Sequence, residues 1–421
     1  MALTSLDNEV VEVSVIPCKV LMKFSMDFIY PAHTAARNFT LFREVLLINF
    51  PLMFRRQSRV VSIANLLIGG PHPIRVQSMT HTPTQDIKAT VDQIYQLYEA
   101  QCEIIRIAVP NLSTVDAFRQ IKMQLRNDQI AIPLVADVHF SPSVAIACIP
   151  HADKIRINPG NFNDNFSAFQ QLVQLAKKEG KALRIGVNQG SLSKSILKQY
   201  GHAAEGMYQS VQPFLEIVQS ENFENIVLSF KSNDVSKMIE NHRTIVPRLD
   251  QQGFNFPLHI GVTEAGNDNY GRIKGAIGIG SLLIDGIGDT IRVSLTEDPV
   301  QEVAVAYDIL QTCGKRFVHP EYIACPSCGR TQYSMRQVFD EIKAKTSHLS
   351  GIKIAIMGCV VNGIGEMEDA DYGCVGAGPG KVNLYYKNHC VKTNISEQNA
   401  AEELIKMIET HETFLPSIEY P

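Results

Sequence analysis

Three cysteines in the last hundred residues have the spacing of a metal site. Cys325 and Cys328 form a Cys-X-X-Cys pair, which allows two thiolates to reach one metal centre. A third cysteine, Cys359, lies in a separate segment with glycines at positions 358, 363 and 365. Glycines let the backbone wrap closely around a bulky group. These residues predict a zinc ion or an iron–sulfur cluster.

The spacing of these cysteines fits zinc and a cluster about equally well. A structural zinc site would take Cys374 as its fourth thiolate. A redox-active Cys-X-X-Cys pair without metal is the weaker alternative, because the third cysteine has a glycine-rich loop of its own. The other cysteines are scattered and are expected to be small buried hydrophobic residues.

A second set of chemically suggestive residues consists of cations inside apolar segments. The five cations are Arg106, Arg156, Arg184, Lys231 and Arg292, and three of their segments also carry the polar residues Asn158, Asn188 and Ser294. Cations that meet in a half-buried site repel one another unless an anion neutralises them, and arginine forks match phosphate oxygens. Any one of them can instead pair with a nearby acid, but the five together predict a polyanionic substrate, most simply a diphosphate.

Three further residues are candidate acids and bases. Asp137 and His139 are two residues apart, so they share one face of a strand, where they suit a proton relay or the orientation of an arginine. Glu264, in Thr263-Glu264-Ala265-Gly266, is either an acid–base group or the partner of an arginine. The sequence leaves both pairs of alternatives open.

Eight apolar, β-branched segments carry these residues and alternate with amphipathic segments. The predicted strands are Ile74–Met79, Ile104–Pro110, Pro133–Phe140, Lys154–Pro159, Leu183–Asn188, Ile226–Lys231, Leu258–Gly266 and Asp289–Leu295. The predicted helices include Thr84–Ala100, Asp164–Lys178, Asp234–Leu249 and Pro299–Thr312. This pattern predicts an α/β fold with a (β/α)₈ TIM barrel over residues 58–315, whose active site lies at the carboxyl ends of the strands. A doubly wound sheet would need a glycine-rich loop after the first strand, where Gln77-Ser78-Met79-Thr80 stands.

The cysteines belong to a second, smaller α/β domain, predicted over residues 316–421. Its expected elements are a helix at Gln332–Lys345, strands at Ile352–Met357 and Lys381–Tyr386, and a last helix at Ser396–Glu412. The stretch Gly358–Gly380 is interpreted as a glycine-rich loop that ends in a turn. Residues 1–57 have no clear period and are left as an unassigned N-terminal extension.

Composition limits the function classes. The chain has 421 residues, 45% of them hydrophobic, with a formal net charge of −4. That charge argues against a nucleic-acid partner, and the sequence holds no apolar run of the roughly 18 residues that a membrane span needs. An odd number of cysteines, nine, and no visible signal peptide indicate a reducing compartment, the cytoplasm.

From about residue 60 onward the chain resembles the 4-hydroxy-3-methylbut-2-enyl diphosphate synthase family, in its bacterial two-domain layout. The segments that carry the resemblance are Val76-Gln77-Ser78-Met79-Thr80, Lys154-Ile155-Arg156-Ile157-Asn158-Pro159-Gly160, Thr263-Glu264-Ala265-Gly266, residues 288–296, Cys325-Pro326-Ser327-Cys328-Gly329-Arg330 and residues 358–366. At one position the chain departs from the family, since Ile364 stands where the family has proline.

The resemblance implies a [4Fe–4S] cluster, whose fourth iron takes the carboxylate of Glu366 beside the three cysteines. It implies reductive opening of a cyclic diphosphate, with ferredoxin or flavodoxin as electron donor and a homodimer as the active form. The implied substrate-binding residues are Arg106, Arg156, Arg184, Asn188, Lys231, Arg292 and Ser294. Two rival functions are a zinc-dependent barrel aldolase or lyase and a cluster-based sensor, which iron, sulfide and zinc analysis would separate.

Overall fold

A computed structural model describes residues 55–411 apart from residues 140, 163 and 164, together with a short hairpin near the N-terminus. That hairpin pairs Val13–Val15 antiparallel with Cys18–Val20. The predicted strand end at Phe140 and the start of the predicted helix at Asp164 lie outside the described residues. Among the described residues, no helix is both long and apolar enough to cross a membrane.

Eight parallel strands form the predicted TIM barrel. The strands are Arg75–Met79, Ile104–Ala108, Leu134–Asp137, Lys154–Ile157, Ala182–Asn188, Ile226–Lys231, His259–Ile260 and Thr290–Ile291. Seven neighbouring pairs run in parallel register, and a parallel bridge between Leu228 and Leu258 joins the sixth strand to the seventh. The fold prediction is therefore confirmed, although the last two strands are much shorter than predicted.

The helices lie between these strands or after the last of them, and polar side chains cap the first turn of several of them. The barrel helices are Ile87–Glu99, Leu112–Asn127, Pro142–Cys148, Phe166–Lys178, Lys194–Tyr200, Ala204–Ser220, Val235–Gln251, Asp268–Ile284 and Pro299–Thr312. The side chains of Asp86, Asn111 and Asp234 each accept a hydrogen bond from a backbone N–H three residues later. Such caps satisfy backbone N–H donors that have no partner within the helix, and they fix the residue at which each of these helices begins.

The two faces of the barrel strands differ in chemistry. Outward residues such as Ile155 and Ile157 pack in the main apolar core with the helices, whereas Lys154 and Arg156 on the same strand point the other way. TIM barrels usually fill their interior with branched apolar side chains. Here the interior near the carboxyl ends of the strands is charged. The apolar residues of the barrel therefore pack on its outside, against the helices, and at its bottom.

A hairpin contributes apolar residues to the bottom of the barrel. Its strands, Val61–Ile63 and Leu66–Ile68, pair antiparallel. A buried apolar cluster joins hairpin residues to residues at the start of four barrel strands. It comprises Val61, Ile63, Ile68, Ile104, Val135, Ala182 and Val227. This bottom layer closes the amino-terminal end of the barrel with apolar atoms, below the charged interior.

The C-terminal region contains a five-stranded mixed sheet. Its strands, in sheet order, are Glu321–Ala324, Lys353–Met357, Tyr372–Gly378, Lys381–Tyr386 and His389–Ser396, with helices Met335–Thr346, Val360–Glu366 and Ala400–His411. The first three strands are parallel and the last two antiparallel. The boundaries at residues 57/58 and 315/316 stay predictions.

The glycine-rich stretch of this region was interpreted wrongly as a loop. Residues Val360–Glu366 form a helix and Tyr372–Gly378 form a strand, and the turn begins only after Gly378. Gly376 lies within that strand because the backbone passes close to its neighbour: a Cβ atom there would stand 2.3 Å from the carbonyl oxygen of Gly358. The strands Glu321–Ala324 and His389–Ser396 were not predicted at all.

Candidate active site

The charged interior of the barrel is organised around Asp137. Arg156 donates from Nη1 to its Oδ1 at 3.1 Å, and Nε of Arg106 lies 3.7 Å from its Oδ2. Burial alone would raise the pKa of Asp137, but the attraction of Arg106, His139 and Arg156 outweighs it and holds the pKa well below the usual range. Asp137 is therefore a buried anion that binds several of the predicted cations together.

His139 stands beside this ion pair, as the sequence predicted. Its Nε2 lies 3.1 Å from Oδ2 of Asp137 and 3.0 Å from Nη1 of Arg156. A neutral ring can accept from the arginine through this nitrogen, whereas a protonated ring donates to the carboxylate. Because 40% of its side chain is exposed, His139 is accessible from the mouth of the barrel, the opening at the carboxyl ends of the strands.

The other predicted cations differ in how completely they are paired. Arg292 forms a forked ion pair with Glu302, at 3.2 Å for both contacts. Arg184 is 1% exposed, and its Nε and Nη1 have no hydrogen-bond partner among the described residues. Burial and then the neighbouring arginines lower the pKa of Arg184. The buried donors of Arg184 thus suit an anion.

Lys231 completes this set from the sixth strand. It is 5% exposed, and burial followed by four neighbouring arginines holds its pKa well below that of an ordinary lysine. Gly261 makes room for it, since a Cβ atom there would stand 3.3 Å from the lysine Nζ and 2.3 Å from the carbonyl oxygen of Arg292. The glycine therefore sets how closely the seventh and eighth strands approach the lysine.

An open cavity of about 460 Å³ adjoins the cations on one side of the mouth. Its lining includes Asn188, Lys231 and Glu264, which were predicted as site residues, and also Gln189 and Ser232. Ser232 donates to Gln189 at 2.6 Å, so the floor of the cavity is held together by a buried polar contact. The cavity has room for a small phosphorylated ligand.

Glu264 lies outside the seventh strand, which ends at Ile260 rather than at Gly266. It is exposed and has a left-handed backbone, with φ of +53°. A non-glycine residue in this region is strained, and such strain recurs at functional sites. Asn158 and Ser294 follow the carboxyl ends of the fourth and eighth strands. Asn158 donates to Ser191 at 2.7 Å and so helps to position the loop that carries this serine.

The sequence did not single out Glu302 or Lys154. Glu302 comes from the helix Pro299–Thr312 rather than from a strand, and it also accepts from Ser78 at 2.8 Å. Lys154 was visible in the sequence, because it precedes Arg156 by two residues on the same strand and therefore shares its inward face. The signal that predicts it is the alternation of inward and outward side chains, followed from Arg156 toward the amino end of the strand.

The predicted cysteine ligands lie at the carboxyl ends of two adjacent parallel strands. Cys325 follows the strand Glu321–Ala324, and Cys359 follows Gly358 after the strand Lys353–Met357. The backbone N–H of Gly358 donates to Sγ of Cys325 at 3.1 Å. Parallel register thus brings segments 34 residues apart in sequence together at one edge of the sheet.

Arg330 connects the remaining thiol to this edge. Its guanidinium forms hydrogen bonds with the sulfur atoms of Cys359 and Cys328, and these contacts raise the pKa of the arginine. The turn between Cys325 and Cys328 has its left-handed residue at Ser327, with φ of +63°, rather than at Gly329. The three thiols are therefore served by N–H donors, as suits sulfur atoms that carry negative charge.

Cys374 does not belong to this set. It is fully buried in the core of the sheet, beside Ile356 and Leu384 in strand register, and burial raises the pKa of its thiol to about 12. A thiol that stays protonated in an apolar core is a poor zinc ligand. The four-cysteine zinc site considered from the sequence is wrong in this respect.

Glu366 ends the short helix that follows Cys359, and it is exposed. Among the described residues, no three His, Cys, Asp or Glu side chains are gathered closely enough to hold a single metal ion. An iron–sulfur cluster differs in that each ligand binds its own iron. Three thiols at the edge of the sheet, with the carboxylate of Glu366 one short helix further along the chain, are donors of the kind that such a group takes.

Two family models match the chain. The model described as GcpE TIM-barrel domain matches residues 58–307, and that described as GcpE protein C-terminal domain matches residues 321–410. Together they cover the barrel strands and the cysteine-bearing sheet.

Three similar proteins carry the name 4-hydroxy-3-methylbut-2-en-1-yl diphosphate synthase (ferredoxin). The protein of Prochlorococcus marinus (strain MIT 9313) is 45% identical over 376 residues, which is 84% of this chain and 92% of the relative. That of Synechococcus sp. (strain JA-3-3Ab) is 45% identical over 380 residues, 85% of this chain and 92% of the relative. That of Trichormus variabilis (strain ATCC 29413 / PCC 7937) is 44% identical over 376 residues, 84% and 92%.

Proposed function

This chain belongs to the GcpE family, and on that basis we propose that it is an oxidoreductase of the methylerythritol phosphate route to isoprenoids. It converts 2-C-methyl-D-erythritol 2,4-cyclodiphosphate into 4-hydroxy-3-methylbut-2-enyl diphosphate. The reaction takes two electrons and one proton, breaks one carbon–oxygen bond to the diphosphate, and releases one hydroxyl group as water. The diphosphate keeps the negative charge that the broken bond leaves behind.

The observation that carries this proposal is the excess of buried cations over buried anions inside the barrel. Asp137 and Glu302 are buried carboxylates there, whereas the cations are Arg106, Arg156, Arg184, Lys231 and Arg292. Burying unpaired charge is costly, so this interior is adapted to a ligand with more than one negative charge. A cyclic diphosphate supplies two.

The cations are assigned a binding and a catalytic role. Arg106, Arg156, Arg184, Lys231 and Arg292 hold the diphosphate, with Asn188 and Ser294 as polar contacts at its rim. The same groups stabilise the charge that grows on the diphosphate oxygen as the ring opens. Donors fixed in a dry site before the reaction stabilise such charge strongly, because they need no reorganisation.

Cys325, Cys328, Cys359 and Glu366 are the residues that would hold an iron–sulfur cofactor, proposed as a [4Fe–4S] cluster. Bound there, it supplies electrons singly at low potential. Glu366 is assigned as the exchangeable ligand, because a carboxylate on an exposed helix end can leave without disturbing the core. Gly358 and Arg330 orient the thiols.

His139 is the preferred proton donor for the departing hydroxyl group. Its Nε2 lies 3.1 Å from Oδ2 of Asp137, which fixes the orientation of the ring, and 40% of its side chain is exposed. Glu264 is the second candidate, since it lines the adjoining cavity with Lys231. A histidine can both give up and regain a proton near neutral pH, which suits repeated turnover.

Ferredoxin is the proposed electron donor, with flavodoxin as the alternative, and a cytoplasmic homodimer is the proposed active form. The relatives' name includes ferredoxin. The free cysteines among residues 55–411 include several that are buried and remain thiols, as is usual in a reducing compartment. Light scattering of the purified protein measures the number of subunits directly.

The direct test uses anaerobically purified protein, reduced ferredoxin and the cyclic diphosphate. We expect two ferredoxins oxidised for each 4-hydroxy-3-methylbut-2-enyl diphosphate formed, measured by absorbance and mass spectrometry. Iron and sulfide should be present in equal amounts. Protein that contains zinc in their place, or that holds the cluster and a bound substrate without turnover, would contradict the proposal.

A further inference from the structure

A lysine lies below the cations of the barrel mouth and has no role in the scheme above. Lys154 is the first residue of the fourth strand, and its side chain shares the inward face with Arg156. It is 0% exposed, and its Nζ has no hydrogen-bond partner among the described residues. Buried lysines without a partner are rare, because the ammonium group loses its hydration.

The surroundings of Lys154 offer no counter-charge. Its neighbours in strand register, Val135 and Ala182, belong to the apolar bottom layer. The charged groups that act on it are Arg184 and Arg106, and both are cations. The titratable or charged side chains of the other strands inside the barrel are Arg106, Asp137, Arg184, Lys231, His259 and Arg292.

The carboxylates of the interior are engaged elsewhere. Asp137 pairs with Arg156 and Arg106, and Glu302 pairs with Arg292. Arginine keeps its proton in proteins, whereas a buried lysine readily gives up its own. Burial and then the repulsion of Arg184 and Arg106 hold the pKa of Lys154 well below the ordinary value. Because the buried Nζ has neither a counter-charge nor a hydrogen-bond partner among the described residues, the ligand-free protein favours the neutral form of this amine more than water does.

A bound dianion acts on the electrostatic part of this balance and leaves the burial of the amine unchanged. Two negative charges above Arg184 offset the repulsion that Lys154 experiences from the arginines. Building on the proposed function, we propose that Lys154 takes up a proton when the cyclic diphosphate occupies the barrel mouth, so that substrate binding and proton uptake are one coupled equilibrium. Lys154 acts here as a positioning residue, which strengthens the field under the diphosphate only once the substrate is bound.

The proposed coupling fixes the direction in which substrate affinity changes with pH. Because the complex holds one proton more than the separated partners, affinity falls as pH rises, by up to about tenfold per pH unit. The phosphoryl groups of a cyclic diphosphate each have one strongly acidic oxygen and do not titrate near neutral pH. The protein is therefore the source of any pH slope in binding.

The experiment measures protons directly. The cluster-loaded protein, oxidised and without electron donor, is titrated calorimetrically with the cyclic diphosphate in two buffers of different ionisation enthalpy at one pH. For the wild type we expect uptake that approaches one proton per substrate. Lys154→Met should bind more weakly, with little or no uptake and a flat dependence of affinity on pH.

Two controls keep this test decisive. Lys88→Met removes an exposed lysine that pairs with Asp92, and it should match the wild type. Lys154→Met should also raise the thermal unfolding midpoint of the ligand-free protein, since it removes a buried unpaired amine, and this confirms that the variant is folded. Such a rise together with a lost proton is not expected of a residue that only fills space.

The possible failures are separate. Wild-type protein that does not bind the cyclic diphosphate overturns the proposed function. Binding without proton uptake, or uptake that is unchanged in Lys154→Met, overturns the role of Lys154 while the proposed function stands. In the last case Lys231 or His259 would be the group that takes up the proton.

Discussion

The barrel interior and the cysteine edge of the C-terminal sheet are built in opposite ways. In the barrel, Arg184 and Lys231 are 1% and 5% exposed, and Asp137 and Glu302 fix their neighbours. At the cysteine edge, by contrast, Cys328 and Glu366 are exposed. The difference teaches that protein packing orders the proposed anion site in advance, whereas the proposed cofactor site is left with exposed donors.

Loss of one thiol should break the second region and leave the first intact. In Cys359→Ser we expect activity to fall below detection and the visible absorbance of the cluster to disappear, because a hydroxyl group is a poor iron ligand. Calorimetry should still show binding of the cyclic diphosphate within about threefold of wild type. Cys390→Ser, at an exposed cysteine on the last strand, is the matched control. A coloured, active Cys359→Ser protein would contradict the ligand assignment.

Loss of one barrel cation should have the converse effect. Lys231→Ala removes a buried ammonium group from the proposed diphosphate site, and such a contact contributes about 2–3 kcal/mol, roughly a hundredfold in Kd. Iron and sulfide content should not change. Lys88→Ala gives the control for charge alone. If Lys231→Ala bound the cyclic diphosphate as tightly as the wild type, the lysine would have to be dropped from the site.

The ion pair of the barrel should matter for stability as well as for binding. Asp137→Asn leaves Arg156 and Arg106 without their anion, which costs about 3–5 kcal/mol of unfolding free energy at neutral pH. Because the pKa of Asp137 is lowered on folding, its contribution is complete above the unfolded value near 4 and is lost as pH falls through the folded one. The stability difference should therefore shrink in acid.

Urea unfolding at several pH values measures this dependence. Asp116→Asn, at an exposed aspartate that pairs with Arg119, is the control and should cost little at any pH. An Asp137→Asn protein as stable as the wild type at neutral pH would mean that the barrel cations need no anion when the site is unliganded. That result would weaken the contrast between the two regions.

The smallest effect is expected at Ile364. It is 44% exposed in the helix that leads to Glu366, and proline there removes a backbone N–H and crowds the carbonyl of Val360. Ile364→Pro should therefore loosen the last turn, with a change in kcat of less than about tenfold and full iron content. Ile364→Ala separates the helix effect from the lost apolar contact. Loss of the cluster in Ile364→Pro would show that this helix is structurally required.

Much of this architecture was predictable from the sequence, because continuous β-branched segments can hardly be anything but buried parallel strands. The first six barrel strands were found within a few residues. The last two were predicted too long. In the seventh, Gly261 and Glu264 have positive φ, which residue types alone do not reveal. The strand through Gly376 was missed because close backbone approach, rather than β propensity, places glycine there.

The candidate site shows the same limit. Arginines on strand ends were predictable by alternation, and so was the contact of Asp137 with His139. The role of Glu302 was not predictable, because its contact with Arg292 depends on how its helix packs in the folded barrel. Lys154 lies below the strand ends from which the site was predicted, although its spacing from Arg156 already placed it inside the barrel.

The hairpin Val61–Ile63 and Leu66–Ile68 has a kinetic consequence. Its apolar side chains occupy the bottom of the barrel together with Ile104 and Val227. Charged ligands do not cross such a layer readily, so substrate and product must use the same opening at the mouth. Release of 4-hydroxy-3-methylbut-2-enyl diphosphate then has to precede the next binding event, and the product should inhibit competitively against the cyclic diphosphate.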